Sequence, residues 1–448
     1  MANGSHPDVA NGRSRWEGRH GRQFIRFSTK TCVPTNAPTI HAGSVTWGPV
    51  RGRGMNEYGT YRAALDGRDL PAAFLDRAAF EANVATTADR AEGTPVRVAT
   101  KSVRCTAVLE RVIAEPGFEG LMCYTGHEAV DLAEQGFVDL LVAYPVVDTP
   151  ELRRVAEAVA DGHRIVLMVD SAEHVERAGA AAAEAGADVP LCIDLDCSTE
   201  HLGVHFGVRR SPVRTPNEAL DVADTVVATT GVHLSGLMGY EAQLAGLPDR
   251  SPGKSAVENF AIRRFKPRSK AVVRERRQAV AGALDDEYGL AFVNGGGTGS
   301  IEFTRADPSV TEVTAGSAYY APRQFDWYDH VAYEPAAGYA VEVTREPADD
   351  VYTCRGGGYI ASGPVGADKT PVPWLPEGAQ LLDAEGAGEV QTPVRYEGPV
   401  DLAPGAPVVM RHGKAGELCR FFEELAVVDG DEVVETHPTY RGEGKCYV

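Results

Sequence analysis

Two short segments carry residue types that could act together on one small molecule. The apolar run Val96–Thr100 is closed by Lys101. At the mouth of a barrel of parallel strands, such a strand end faces the active site. A lysine there points into a walled pocket, and desolvation, helped by positive charge from Arg97 or Arg104, lowers its pKa. The neutral amine attacks an aldehyde to form a Schiff base. The competing reading is a surface lysine at a strand end. The second segment is Asn294-Gly295-Gly296-Gly297-Thr298-Gly299-Ser300. Its glycines let backbone N–H groups converge on an anion, the short helix that follows offers its positive end, and Thr298 and Ser300 add hydroxyl donors. A flexible glycine turn is the alternative. The loop after the seventh strand is a usual phosphate position in barrels. A lysine and a phosphate loop at one barrel mouth suit a cofactor with one aldehyde and one phosphate, which describes pyridoxal 5′-phosphate (PLP).

Further candidates fall at other strand ends: Asp194, Asp196, His201 and His205 after the fifth run, and Tyr240, Glu241 and Gln243 after the sixth. Gly316-Ser317-Ala318-Tyr319 follows the eighth. A ring at such a place can stack on a pyridine; packing or a satisfied polar contact is the alternative for each. Cys105 and Cys123 read as small core residues, since no base is placed for either. Later, Met410–Cys419 contains His412 and Lys414, two apart and so on one face of a strand. His412 reads as a metal ligand or an acid–base group. With Cys419 seven residues on, it makes a weak metal signature. A structural turn with a solvated lysine is the other reading.

The elements that must position these residues follow from the apolar pattern. Eight runs read as strands: Val96–Thr100, Gly120–Cys123, Leu140–Ala143, Arg164–Val169, Pro190–Asp194, Leu234–Tyr240, Phe292–Asn294 and Glu312–Ala315. Helical stretches lie between them, the longest around Lys254–Asp286. Continuous apolar runs belong to strands buried on both faces, so the expectation is α/β, a (β/α)8 TIM-type barrel over residues 55–332. A dinucleotide-type open sheet would need glycines in the first βα turn, which reads Thr100-Lys101-Ser102-Val103-Arg104. Ala72–Asp76 is a further short strand before the series. Residues 333–448 hold short β-prone runs between Gly/Pro-rich turns, with one short helix expected near Gly416–Glu424; this is a C-terminal mostly β domain.

Composition removes several classes. The chain has 448 residues and a formal charge of 44 − 63 = −19. That field does not attract nucleic acid or an anionic membrane surface. No apolar run approaches the roughly 20 residues that span a bilayer. The eight cysteines form no CxxC pair, which suits reduced thiols of a cytoplasmic protein. Residues 1–54 hold eight Lys/Arg against two acids. They read as a disordered tail or as a start placed too early, with Met55 the true one; an Arg-rich transit segment is the weaker reading.

Val98-Ala99-Thr100-Lys101-Ser102-Val103-Arg104-Cys105 resembles the cofactor-lysine segment of the PLP-dependent D-threonine aldolase and D-serine dehydratase family, of the alanine-racemase-like fold, and most of all its amino acid deaminase/aldolase branch. Gly120–Tyr124, Ala143-Tyr144-Pro145, Arg209-Arg210-Ser211-Pro212, Gly239-Tyr240-Glu241, Gly295–Ser300 and His412–Leu418 support it, from about Tyr58 to the C-terminus. The resemblance implies that Lys101 holds PLP as a Schiff base, that Gly296, Gly297 and Thr298 bind its phosphate, and that Tyr240 lies near it. Tyr319 joins these as a candidate ring. The resemblance also implies a divalent metal at a His-x-Asp or His-x-Cys motif. Here that motif reads His412-Gly413-Lys414, and an ammonium cannot coordinate a cation, although Lys414 can supply positive charge itself. A homodimer, with each site built from one barrel and a partner's β domain, is implied as well. His201 and Gln243 depart from residues common in relatives.

The activity expected is that of a lyase acting on a β-hydroxy-D-amino acid, by aldol cleavage or by dehydration and deamination, with His412 or Lys414 serving the hydroxyl. The alternatives are an amino acid racemase of the same fold, a non-catalytic PLP-binding protein, and a barrel aldolase for sugar phosphates.

Overall fold

The computed structural model describes residues 57–364 and 366–448. The segment 1–54, read above as a tail, lies wholly outside the described residues. Eight parallel strands close into a barrel: Val96–Ala99, Phe118–Cys123, Leu140–Val142, Ile165–Val169, Val189–Asp194, Val232–Gly239, Phe292–Gly295 and Glu312–Ala315. They correspond one for one to the eight apolar runs. The eighth strand closes on the first through Val313↔Val96 and Ala315↔Val98. The strands are almost wholly buried because side chains alternate between the barrel interior and the ring of helices.

The helices begin where capping chemistry starts them. Thr125, Asp148, Ser171 and Thr215 each accept a hydrogen bond from the backbone N–H three residues on. The longest helix, Ala256–Tyr288, starts in a capping box of Ser255 and Glu258 and runs for 33 residues.

The barrel's interior is apolar in the middle, where Leu141, Val166, Met168, Cys192, Met238 and Phe292 meet. Toward the base the filling is ionic. Arg97 is 1% exposed. Its guanidinium donates to Glu312 Oε1 and Oε2 at 2.7 and 2.8 Å and to Asp139 Oδ2 at 2.7 Å. Asn294 Nδ2 donates to Glu312 Oε1 at 2.9 Å. Gly120 must be glycine here: its φ is +71°, and a Cβ would stand 2.5 Å from Arg97 Nη1.

A nine-stranded sheet forms the second region. Its longest strand, Ala337–Ala348, pairs antiparallel with Val351–Arg355 and with Pro407–Arg411. Ala72–Asp76 belongs to this sheet rather than to the barrel. It runs antiparallel to Ala337–Ala348 (Ala73↔Tyr339) and parallel to Glu424–Asp429 (Phe74↔Ala426). The short helix expected near Gly416–Glu424 is a single 3-10 turn, Leu418–Arg420. No described helix is long and apolar enough to cross a membrane. Seven cysteines fall in the described residues, all unpaired; six are buried and Cys446 is exposed.

Candidate active site

Lys101 does not extend the first strand. The strand ends at Ala99, and Thr100–Ser102 form one 3-10 turn. That turn is clamped from several sides. Thr100 Oγ1 donates to Met122 O at 3.0 Å, and Val103 N and Arg104 N both donate to Thr100 O at 2.9 Å. Arg104 takes φ +54°, and its carbonyl accepts from Tyr440 N at 3.0 Å. Gly416, at φ +74°, lies so close that a Cβ would stand 2.1 Å from Lys101 O. Beneath the turn, buried Glu128 accepts from Tyr124 N at 2.8 Å and from Tyr440 Oη at 3.0 Å. Burial pushes its carboxyl up to about 7, against the lowering pull of those hydrogen bonds.

The Lys101 side chain enters a cavity of about 430 Å³ at the barrel mouth, a usual size for a small-ligand site. The residue is exposed, because the cavity is open, and its Nζ donates to Tyr144 Oη at 3.0 Å. Arg210 lies over the Tyr144 ring, 4.9 Å from its centroid, and is held there by Asp194 Oδ2 at 2.8 Å. Burial acts to raise the Tyr144 phenol, but Lys101 and Arg210 outweigh it and hold it below its ordinary range. Arg97 does not supply charge beside Lys101 as expected, since its guanidinium is neutralised by Glu312 and Asp139.

The glycine loop reaches the same cavity, lined by Gly296, Gly297 and Thr298. Its support lies behind it. Buried Glu241 pairs with Arg277 Nη1 at 3.1 Å and accepts from Ser300 Oγ at 2.8 Å, from Gly296 N at 3.2 Å and from Thr304 Oγ1. Ser300 and the Gly296 N–H are therefore turned away from an incoming anion. Among the described residues, the N–H groups of Gly297 and Thr298 have no hydrogen-bond partner. Thr298 Oγ1 accepts from Ala318 N at 3.3 Å, which leaves its proton to donate. A Cβ on Gly299 would lie 2.4 Å from Ala245 O, so the loop's path requires glycine there. Two free N–H groups and a hydroxyl beside a lysine amine are a donor set that PLP would fit, with Gly297 and Thr298 available to its phosphate and Lys101 to its aldehyde. Tyr240 lines the cavity, and burial raises its phenol despite the opposing pull of Lys101.

Other expected residues lie elsewhere. Tyr319 is fully buried, packs edge-on to Phe118 at 6.1 Å and does not line the cavity. His412 is 3% exposed, also off the cavity wall, and burial with Arg411 beside it pushes its imidazole down to about 3. His201 stacks on Phe265 at 5.1 Å in a hairpin, and Gln243 Nε2 donates to Cys197 O at 2.7 Å. Asp196 pairs with Arg214 at 2.8 Å. His201, Gln243 and Asp196 thus carry structural contacts. Lys414 does reach the cavity, with Ser362 and Glu417. All three come from the chain's own β region. Tyr144, Arg210, Ser362 and Glu417 were not singled out by residue type; the proximity of Tyr144 and Arg210 to the chemistry was signalled only by the motifs that contain them.

The family model for the alanine racemase N-terminal domain matches residues 75–323, more than half of the chain, and the chain belongs to that family. Among curated proteins it is similar to a D-threonine aldolase of Arthrobacter sp, 27% identical over 291 residues, or 63% of this chain and 70% of that protein. It is also similar to a 3-hydroxy-D-aspartate aldolase of Paracoccus denitrificans (strain Pd 1222), 26% identical over 263 residues, or 57% of this chain and 62% of that protein. Among solved structures, D-threonine aldolase from Filomicrobium marinum superposes with a TM-score of 0.70 at 23% identity, covering 84% of this chain and 95% of its own. D-threo-3-hydroxyaspartate dehydratase from Delftia sp. HT23 gives 0.65 at 19% identity, covering 84% and 98%. These likenesses show the fold, including the second sheet.

Proposed function

We propose that the protein is a PLP-dependent lyase of β-hydroxy-D-amino acids, acting by aldol cleavage or by dehydration and deamination. One observation carries the reading: the Lys101 amine and the Gly296–Thr298 loop line the same cavity. The activities named for its relatives support a lyase over a racemase or a non-catalytic binder. The contribution of Ser362, Lys414 and Glu417 to the cavity speaks against a sugar-phosphate aldolase, which gives the β region no role.

Lys101 would hold the cofactor, Gly297 and Thr298 its phosphate, and Tyr240 a flank of the ring. When bound, PLP supplies an electron sink that stabilises negative charge at the substrate's Cα. Lys101 Nζ is then the group placed to move a proton at Cα, and Tyr144 Oη, 3.0 Å away, can share that proton. Arg210 fixes the Tyr144 ring and adds positive charge for a substrate carboxylate. The same reading takes the enzyme to be a cytoplasmic homodimer, on the strength of its unpaired cysteines and the family resemblance.

The test is to incubate the PLP-loaded protein with D-threonine, D-serine and other β-hydroxy amino acids of both configurations. Aldehyde plus glycine, or keto acid plus ammonia, from D-substrates supports the reading. Inverted amino acid as the sole product, or no turnover of any of them, contradicts it.

A further inference from the structure

We infer that the enzyme works without a divalent cation: the Lys414 ammonium meets the substrate's β-hydroxyl and gives it the proton with which it leaves, so the reaction is dehydration and deamination. This rests on the PLP-lyase reading and narrows its chemistry.

A metal does not fit the residues present. His412 offers an imidazole, but one that is buried and sealed off the cavity wall. The residue two on is Lys414, whose ammonium has no lone pair to coordinate with. Among the described residues the only cluster of three potential ligands is His127, Asp148 and Glu151, none of which lines the cavity. The charge on the cavity wall argues the same way. Among the described residues, Lys101, Arg104 and Lys414 line it against one carboxylate, Glu417, while Arg210, also on the wall, is already paired with Asp194. Glu417 already accepts from Ser362 N at 2.6 Å and from Ser362 Oγ. A divalent cation would enter a field of its own sign.

Lys414 is instead held as a donor facing the cavity. Its Nζ donates to Ser362 O at 2.7 Å and stands 3.8 Å from Glu417 Oε1. An ammonium has three N–H groups. Two are engaged by the carbonyl and hydroxyl oxygens of Ser362, at 2.7 and 3.4 Å, and the third is left for the cavity that the residue lines.

The step balances without an oxidant or reductant. Lys101 takes the Cα proton, and that bond's electron pair forms the Cα–Cβ double bond. The Cβ–O bond breaks with its pair on oxygen, which takes a proton from Lys414 Nζ and departs as water. Lys414 is left a neutral amine and regains a proton from solvent. Addition of water to the released unsaturated amine gives a 2-keto acid and ammonia. Aldol cleavage needs a base to take the hydroxyl proton, and Lys414, held as a donor by the Ser362 oxygens, is placed to give a proton instead.

The experiment compares PLP-loaded protein before and after chelator dialysis, and with zinc or manganese added back. Metal content, absorbance and products from D-serine and D-threonine are recorded. The expected result is no stoichiometric metal, an unchanged rate, and keto acid with ammonia. Lys414→Met should lower the rate by about 10²–10⁴-fold while keeping the cofactor's absorption, and Lys414→Arg, whose guanidinium keeps its proton, should not restore it. Stoichiometric metal whose removal stops turnover, aldehyde as the product, or full activity in Lys414→Met would overturn the inference. A protein that binds PLP and needs metal sinks this inference alone; one that takes up no PLP sinks the underlying reading with it.

Discussion

The barrel holds two groups of charged side chains, and they differ in how fully the charge is matched. Near the base, Arg97 is enclosed by Glu312 and Asp139, with Asn294 completing the network. Behind the glycine loop, Arg277 is likewise set between Glu241 and Asp307. At the mouth, Arg210 is paired with Asp194, but Lys101, Arg104 and Lys414 share the cavity wall with Glu417 alone. Burying an unpaired charge costs several kcal/mol, so matched clusters are what a stable interior demands. Positive charge left in excess on an open cavity marks where anionic groups are to be received. A cofactor phosphate and a substrate carboxylate would supply them.

Substitutions should separate the two groups. The largest effect is expected for Lys101→Ala, which should lower the rate by at least about 10³–10⁴-fold with little change in melting temperature. Arg97→Met should do the reverse. It leaves Glu312 and Asp139 without their cation and should cost about 3–5 kcal/mol of stability in denaturant titration, with the cofactor's absorption retained in the folded fraction. An equal loss of rate and stability in both variants would erase the distinction.

Glu128 sharpens the comparison, because it lies under the Lys101 turn yet carries no excess charge. Its carboxyl is raised in the folded state to about 7 from an unfolded value near 4.5. The folded chain thus binds the extra proton between those values, and stability contributed below pH 4.5 is lost as pH rises toward 7. The full loss is about 3 kcal/mol. Glu128→Gln should flatten that part of the stability–pH curve; an unaltered slope would show that burial does not control this group. The smallest effect is expected for Gly416→Ala. Its positive φ and the approach to Lys101 O predict about 1–3 kcal/mol of destabilisation and weaker retention of PLP in dialysis. Unchanged retention would show that the β region does not set the lysine turn.

Much of this was legible in the sequence. The eight strands could be read because buried parallel strands are continuous apolar runs. Lys101 and the glycine loop could be read because barrel connectivity puts strand ends at one mouth. The role of Ala72–Asp76 could not, since pairing with Ala337–Ala348 spans more than 250 residues and leaves no local trace. Tyr319 looked like a cavity ring because it follows the eighth strand. Three residues after Gly316, its side chain packs into the core instead. His412 and Lys414 share a face in an ideal strand, but the strand ends at Arg411. The chain then turns, which buries one residue and brings the other to the cavity. Arg210 gave no signal by type, because its place depends on a buried partner, Asp194, sixteen residues earlier.

The central claim is that the Lys101 amine carries the cofactor. Borohydride reduction of the PLP-loaded protein, followed by proteolysis and mass spectrometry, tests it most directly. The account predicts loss of an absorption band at about 420 nm and a pyridoxyl adduct on Lys101. An adduct on Lys414 or another lysine, or a protein that takes up no PLP at all, would contradict it.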